Sequence, residues 1–292
     1  MLSELKELWK FRELLLTMVQ REIRIRYKNS TIGFLWSMLN PLITVLVMSF
    51  MFTNFLGKNT PSATAYILAA YLPFTFFQFC LMDSAQSILA ALPLLKKIYL
   101  PREILPIASV ISNFIHLIMA FVMFFLYLLV VYIFFPGHGG HREWPFQFTT
   151  LYLPILLLIN LALSMGLSFY ISALNTFYED VKYIVGVITY LMFFMCPIIY
   201  FEEDVAFSPL NGPERWHGLL YNVMNLNPVF ALSNAYRKLL IAPNKIMVHG
   251  QLVDPLPLDW RYVGWAAFVS VVILITGYNK FNKLKWRFVE RP

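Results

Sequence analysis

The sequence predicts an all-α integral membrane protein with six transmembrane helices, and three observations support this fold class. Of the 292 residues, 59% are hydrophobic and only 13% are charged, which is about half the charged fraction of an ordinary soluble domain. Apolar runs of roughly 20 residues, enough to cross a bilayer, recur along the chain. Lys and Arg cluster at the ends of these runs, as they do at the cytoplasmic flanks of membrane spans. The net charge of +7 therefore reflects membrane flanks, and no nucleic-acid partner is expected.

Residues 1–33 are predicted to form a cytoplasmic amphipathic helix that lies in the membrane interface. Seven apolar residues share one side of it: Leu5, Leu8, Trp9, Leu15, Leu16, Val19 and Ile23. Cations that include Arg21, Arg24 and Lys28 fall on the opposite side at helical spacing. Such a helix turns its cationic side to lipid phosphates or to a cytoplasmic partner. A solvated helix ahead of the first span is the alternative, because Arg12 and Arg26 interrupt the apolar side.

The six transmembrane helices are predicted from apolar runs at 34–57, 66–90, 107–135, 151–174, 183–200 and 261–279. Residues 34–200 hold spans one to five, and residues 261–292 hold the sixth span and a basic cytoplasmic tail. An even number of spans returns the C-terminus to the starting side. The segments 1–33, 91–106, 175–183 and 280–292 contain 16 of the 23 Lys and Arg residues. Both termini are therefore predicted to be cytoplasmic.

The segment 201–260 is predicted to be extracellular and to contain a re-entrant helix between spans five and six. It opens with Glu202, Glu203 and Asp204 and is punctuated by prolines. The apolar run from Pro228 to Ile241 is too short for a span, and about 10–14 residues is the length of a re-entrant or interfacial helix. Such a segment indicates a cavity or pathway on the outer side. An ordinary surface cap accounts for it equally well.

Two predicted inner elements, at 94–104 and 175–183, are short charged segments between consecutive spans. The first holds four charged residues between prolines: Lys96, Lys97, Arg102 and Glu103. This pattern indicates either an element that presents charge to the cytoplasm or an ordinary positive-inside loop. The second holds Glu179 and Asp180 where cations are more usual, and these acids suit a basic protein partner.

The chain lacks the motifs that catalysis of its own would need. No glycine opens the GxxxxGK[ST] loop that cradles ATP phosphates, so another chain must bind any nucleotide. No histidine pair forms HExxH, and Cys80 and Cys196 lie inside apolar runs without metal-ligand spacing. The ionisable residues of the spans, Asp83 and His116, are too few for a proton relay. We therefore expect a chain that is not an enzyme and that holds no cofactor or metal.

Three motifs carry a resemblance to a known family: RYKNSTIGFLWSMLNPL at 26–42, KKIYLPREILP at 96–106 and FYEDVKY at 177–183. Together they resemble the permease subunits of ABC exporters of lipid-linked polysaccharide, the teichoic-acid and O-antigen translocation permeases. The resemblance covers essentially the whole chain. It implies a second copy of the chain and two separate ATPase subunits, which bind ATP and Mg²⁺. It also implies a polyprenyl-pyrophosphate-linked glycan as substrate, with wall teichoic acid favoured over O-antigen, and a location in the bacterial cytoplasmic membrane.

The resemblance also implies roles for particular residues. Element 94–104 matches the family's coupling helix, and residues of both inner elements would contact the ATPase: Lys96, Lys97, Tyr99, Pro101, Arg102, Glu103, Glu179 and Asp180. The helix before Tyr27 matches the gate-side interfacial helix, where four residues would meet an anionic headgroup: Arg24, Arg26, Lys28 and Trp36. Asp83 and His116 are candidate polar groups within the membrane. The alternative function is an integral-membrane enzyme or assembly scaffold that handles lipid-linked sugars without moving them.

Overall fold

A computed structural model describes residues 8–27, 35–55, 63–97, 100–134, 147–208, 218–241, 246–248 and 251–289. The helices are α1 (Arg12–Tyr27), α2 (Leu35–Phe55), α3 (Ala63–Leu95), α4 (Ile104–Phe134), α5 (Leu153–Phe177), α6 (Val181–Met195), α7 (Glu202–Ala206), α8 (Leu219–Asn225), α9 (Pro228–Leu240) and α10 (Trp260–Leu284). Short 3₁₀ turns occupy Phe148–Tyr152 and Lys285–Val289. The described chain is thus almost entirely helical, as the sequence predicts.

One element departs from the predicted all-helical class. Strands β1 (Ile246–Val248) and β2 (Gln251–Val253) form an antiparallel hairpin in which Ile246 pairs with Val253. Strands of three residues are too short for a period-two pattern to stand out from an irregular loop, so the sequence did not predict them.

Within the described residues, four helices are long and apolar enough to cross a membrane: Thr64–Leu95, Ile104–Phe134, Phe148–Phe177 and Trp260–Phe288. The apolar stretches Leu39–Met51 and Val181–Met195 are helical but shorter. At 1.5 Å per residue, the 15 residues of α6 rise about 22 Å, less than the roughly 30 Å of a bilayer core. The chain leaves the helix after Met195 because Pro197 disfavours helix at the residue before it. Within the described residues, four of the six predicted spans thus meet the criteria of length and hydropathy together, and α2, at 21 residues, also has the length of a span.

Helices α3 and α4 are longer than a bilayer requires. Their 33 and 31 residues correspond to about 50 Å and 46 Å, so each extends well beyond a hydrocarbon core of roughly 30 Å. Around α3 pack the helices α2, α4, α5, α6 and α9. Therefore α3 is the central helix of the bundle, and its two ends connect two different regions of the molecule.

Polar side chains fasten α5 to α3 inside the bundle. The side-chain amides of Asn160 and Asn175 donate to the backbone carbonyls of Pro73 and Ala85 over 3.2 Å and 2.7 Å. Between them, the Ser168 hydroxyl donates to the carbonyl of Cys80 over 3.2 Å. Small and polar residues let neighbouring membrane helices approach and bond where hydrophobic burial offers little advantage. The three bonds therefore fix the register of α5 along α3.

Helices α5 and α10 cross in backbone contact at two glycines. A Cβ atom at Gly166 would lie 2.6 Å from the backbone nitrogen of Leu274, and one at Gly277 would lie 2.3 Å from the carbonyl oxygen of Gly166. Only a residue without a side chain fits such a crossing. Glycine is thus required at both positions by the packing of these two helices.

One end of the bundle, which we call the base, is formed by an apolar cluster drawn from α1, α3, α4, α5, α10 and the C-terminal 3₁₀ turn. Its buried members are Met18, Val19, Ile88, Ala91, Leu100, Ile104, Leu105, Ala108, Phe169, Ala173, Tyr278, Phe281 and Phe288. The opposite end, which we call the cap, comprises the described residues between 196 and 258. Tyr66, near the start of α3, contacts the cap, and Ile88, near its end, belongs to the base. The described residues of the predicted inner elements therefore lie at the base, and those of segment 201–260 lie at the other end.

Helix α1 packs against α4 at the base. Leu8, Leu15 and Val19 turn inward as predicted, but Trp9 and Leu16 are 71% and 60% exposed. Phe11, Leu14 and Met18 complete the inward side instead. The sequence interpretation of a helix with its apolar side turned to lipid is incomplete, because the long α4 offers protein surface to that side.

Candidate functional site

The predicted coupling residues begin where α3 ends. The helix runs through Pro93 to Leu95, and Lys96 and Lys97 form a turn in which the backbone N–H of Lys97 donates to the carbonyl of Leu94 over 3.0 Å. Both lysine side chains are exposed. Residues 94–97 are therefore the end of α3 and a turn, and the described part of element 94–104 contains no separate helix. Tyr99 lies outside the described residues.

The turn before α4 faces the interior of the base. Pro101 is buried, and the backbone N–H of Ile104 donates to its carbonyl over 3.1 Å. Glu103 is only 3% exposed, and its carboxylate forms an ion pair with Lys285, which is itself largely buried. An isolated buried carboxylate is unfavourable unless it is paired. Glu103, expected from the sequence to contact an ATPase, is thus paired within the chain.

Arg102 and the C-terminal 3₁₀ turn are also in contact. The guanidinium carbon of Arg102 lies 6.0 Å from the ring centroids of both Trp286 and Phe288, within the range of cation–π attraction. The Phe288 ring is fully buried, 5.4 Å from the ring of Phe281 and 5.7 Å from that of Phe177. The basic tail, which the sequence indicated only as a topology signal, is therefore part of the base.

The second inner turn, between α5 and α6, also lies at the base. Glu179 and Asp180 are exposed there. The side-chain carbonyl of Asn175 accepts the backbone N–H of Lys182 over 3.0 Å and so holds the turn closed. Phe177, just before this turn, contacts Phe288. The two inner elements, which are separate in the sequence, thus belong to one end of the molecule, with the C-terminal turn between them.

A polar cleft of about 390 Å³ opens between α1, α3 and α4. Arg26 of α1 forms an ion pair with Asp83 of α3, and the side-chain amide of Asn113 on α4 donates to the same carboxylate over 2.9 Å. Arg21, Glu22, Gln86 and Ser87 line the cleft beside this pair. The structure therefore brings together Arg26 and Asp83, which were assigned to different groups from the sequence.

His116, the second intramembrane candidate, and the described gate candidates Arg24 and Trp36 are not among the residues that line this cleft. His116 lines a smaller neighbouring cavity of about 80 Å³, together with Arg26 and Asn113. Arg24 is exposed on α1, and Trp36, near the start of α2, is 55% exposed. Lys28 lies outside the described residues. Of the gate candidates, Arg26 is thus the residue that reaches both cavities.

A buried charged cluster in the cap was not predicted from the sequence, and Arg237 lies at its centre. This side chain is 1% exposed and donates to the backbone carbonyls of Tyr66 over 3.2 Å, of Tyr200 over 2.8 Å and of Ile198. Its guanidinium also lies 4.4 Å from the Tyr66 ring centroid. Arg237 therefore joins α9 to the start of α3 and to the chain that follows α6.

Two acids complete the cap cluster. Glu202 pairs with Lys238 and accepts the Tyr221 hydroxyl over 2.6 Å. Glu203 is fully buried and accepts the backbone N–H of Leu256 over 3.0 Å. Burial raises the pKa of Glu203, and the nearby charge of Lys238 opposes that shift. The acidic triplet and the Arg-Lys pair at 237–238 were visible in the sequence, but their spacing gave no sign that they meet.

The helix predicted to be re-entrant, α9, is enclosed by protein. Eleven of its 13 residues are buried, and it packs against α3, α10, α5 and α8. Its N-terminus is capped by the side chain of Asn227, which accepts the backbone N–H of Val229 over 3.0 Å. Polar backbone is tolerated at membrane depth where protein surrounds it. The described part of α9 is thus a packing element of the cap and lines neither of the two cavities described above.

A bundle of long apolar helices with two short charged turns at one end defines a multi-pass membrane protein. Residues 13–239 match the family described as ABC-2 type transporter, and the chain belongs to this family. The resemblance to polysaccharide-export permeases is confirmed. The chain is 29% identical over 290 residues to the O-antigen export system permease protein RfbA of Myxococcus xanthus, covering 99% of both chains. It is 24% identical over 278 residues to RfbA of Klebsiella pneumoniae, covering 95% of this chain and 94% of the relative.

Proposed function

We propose that this chain is the transmembrane subunit of an ATP-driven exporter that moves a lipid-linked polysaccharide across the bacterial cytoplasmic membrane. The main observation behind the proposal is that two exposed, charged turns lie at the same end of the helix bundle, the base, in a chain of the ABC-2 family. Such a base offers a surface for separate ATPase subunits, which would bind ATP and Mg²⁺. Similarity to two O-antigen export permeases over almost the whole chain supports the polysaccharide class.

The proposed topology has six spans with both termini and the base in the cytoplasm. Residues 1–33 form the interfacial element, residues 34–200 hold spans one to five, segment 201–260 is extracellular, and residues 261–292 hold the last span and tail. The concentration of 16 of the 23 Lys and Arg residues in the segments 1–33, 91–106, 175–183 and 280–292 supports this orientation. Helices α2 and α6 are the first and fifth spans, and a second copy of the chain completes the channel.

The proposed ATPase contacts are the exposed charges of the base. Lys96 and Lys97 at the first turn, with Glu179 and Asp180 at the second, lie at the same end and are accessible to a partner. Arg102 lies against the rings of the C-terminal turn, and this packing would help to hold the first turn in position for its contact with the ATPase. Charged rim residues of this kind mainly govern association rate and orientation between partners.

The proposed substrate is a glycan linked to polyprenyl pyrophosphate. Both relatives named above are O-antigen export permeases, so an O-antigen-type glycan is the first substrate to test and a teichoic acid is the second. The polar cleft between α1, α3 and α4 is the proposed entry for the anionic headgroup. Arg26, which lines the cleft, would bind it there, and Arg24, Lys28 and Trp36 are proposed as further headgroup contacts.

The experiment that tests the coupling role measures ATP hydrolysis by the complex of this chain with its ATPase subunit. The permease alone is expected to hydrolyse no ATP. Reversing both exposed charges, as K96E/K97E, is expected to lower permease-dependent hydrolysis at least fivefold, because the first turn no longer matches the ATPase surface. The control R261E reverses an exposed cation at the opposite end and should have no effect. Hydrolysis by the purified permease alone would contradict the proposal.

A further inference from the structure

The C-terminal 3₁₀ turn, Lys285–Val289, follows the last span directly and is enclosed by the base. Its Phe288 ring is fully buried between the rings of Phe281 and Phe177. Its Lys285 amine reaches the carboxylate of Glu103, in the turn that precedes α4. A basic tail that served topology alone would need neither a buried aromatic ring nor a buried ion pair.

The ion pair joins two elements that are far apart in the sequence. Glu103 lies six residues after Lys97, and its side chain is 4% exposed in the pair, where that of Lys285 is 12% exposed. Such a pair is shielded from water, so its geometry is retained better than that of a surface pair. A displacement of the turn at 100–103 is therefore transmitted to the end of α10 through a direct contact.

From α10 the same displacement reaches the bundle through a rigid crossing. The contact between Gly277 and Gly166 is backbone against backbone, so α10 cannot slide past α5 without breaking it. Phe288 also touches Phe177, which immediately precedes the turn that carries Glu179 and Asp180. The C-terminal turn is thus in contact with both inner turns.

We propose that the C-terminal turn is a third coupling element, in which Lys285 is a positioning residue that holds Glu103 and makes the two inner turns move as one unit. This inference rests on the proposed function. It adds the C-terminal turn to the two charged turns as a third element that takes part in coupling. Lys285 acts through Glu103 and has no contact with the transported glycan. Its removal should leave ATPase binding intact but weaken the link between hydrolysis and transport.

The test uses the full complex in vesicles of phosphatidylethanolamine and phosphatidylglycerol, with a fluorescent, short polyprenyl-pyrophosphate-linked oligosaccharide as the probe. Two quantities are measured, namely ATP hydrolysis and the amount of probe moved per ATP. The variants are K285M, the neutral pair E103Q/K285M and the charge exchange E103K/K285E. K285R keeps the charge, and K283M removes a neighbouring exposed cation as the matched control.

The expected result is a drop of at least fivefold in probe moved per ATP for K285M and for E103Q/K285M, with hydrolysis within about twofold of wild type. K283M and K285R should retain the wild-type ratio, and E103K/K285E should recover at least half of it. The neutral pair leaves no unpaired buried charge, so it reports on coupling even where K285M fails to fold.

An unchanged ratio in the neutral pair would overturn the inference. Loss of ATPase binding in that variant, with binding retained in K283M, would also overturn it, because Lys285 would then be a docking contact. Failure of the proposed function would give a different result from failure of this inference. In that case the wild-type complex itself moves no probe on addition of ATP, before any variant is compared.

Discussion

At the scale of single residues, the cap is organised by buried charge. Arg237 satisfies three backbone carbonyls that belong to the start of α3 and to the chain after α6. A buried carbonyl left without a donor costs about 1–3 kcal/mol. One side chain therefore fixes the position of α9 relative to two other segments.

Replacement of Arg237 by methionine tests this role. R237M keeps most of the side-chain volume but removes every donor, so we expect a loss of about 3 kcal/mol or more in the free energy of unfolding. The measurement is the thermal midpoint of the purified protein in detergent. The control R261M removes an exposed arginine that pairs with Asp259, and it should leave the midpoint unchanged. Equal midpoints for the two variants would show that the three carbonyl contacts contribute no stability.

The buried acid Glu203 predicts a dependence of stability on pH. Because burial raises its pKa, the folded protein binds this proton more tightly than the unfolded chain does. Stability should then fall as the pH rises from the ordinary carboxyl value of 4.5 through the raised pKa of the folded state. E203Q cannot ionise and should flatten this part of the profile, whereas E179Q, at an exposed acid, should retain it. Thermal midpoints between pH 5 and pH 8 provide the measurement, and parallel profiles for E203Q and wild type would refute the assignment.

At the scale of helices, the glycine crossing predicts opposite outcomes for two similar substitutions in α5 and α10. G166A places a Cβ atom 2.6 Å from the backbone of Leu274 and should cost about 1–3 kcal/mol, because the two helices must move apart. G264A, on α10, meets nothing within 4 Å, and alanine favours helix over glycine by about 1 kcal/mol. We therefore expect a lower thermal midpoint for G166A and an equal or higher one for G264A. A midpoint for G166A at or above that of G264A would contradict the crossing.

The helices also show what periodicity can and cannot predict. The long apolar runs of α3, α4, α5 and α10 were identified because about 20 consecutive apolar residues are rare outside membrane spans. The inward side of α1 was only partly predicted, since lipid was expected below the helix and the extended end of α4 lies there instead. The polar residues Asn160, Ser168 and Asn175 of α5 were available as a signal at helical spacing. Their partners on α3 are backbone carbonyls, which no sequence pattern reveals.

In the candidate site, too, some features could be predicted from the sequence and others could not. The two inner turns could be located from their charges and prolines, because these residues interrupt apolar runs. The pairs Glu103–Lys285 and Arg26–Asp83 could not be predicted, since each joins residues that are distant in the chain and become neighbours only when helices pack. The family resemblance assigned Glu103 to a partner surface, whereas its burial within the base places it against the last helix.

At the scale of the whole molecule, the bundle separates a cap fixed by buried charge from a base that carries exposed charge. The long helix α3 connects them and contacts most of the other long helices. The polar cleft lies beside the base, between α1 and the two longest helices. In the proposed exporter, ATPase motion would therefore enter at the base, close to the cleft where the headgroup would bind.

ATP-driven movement of lipid-linked glycan by this chain and its ATPase subunit distinguishes an exporter from a membrane protein that handles the glycan without moving it. Inside-out vesicles expose the cytoplasmic leaflet, and a fluorescent polyprenyl-pyrophosphate-linked oligosaccharide is added to that leaflet. If the chain is the exporter's membrane subunit, ATP should make the probe inaccessible to an impermeant quencher, and vesicles lacking either subunit should keep it accessible. A probe that stays in the outer leaflet of the vesicles while ATP is hydrolysed would show that the chain does not export this glycan.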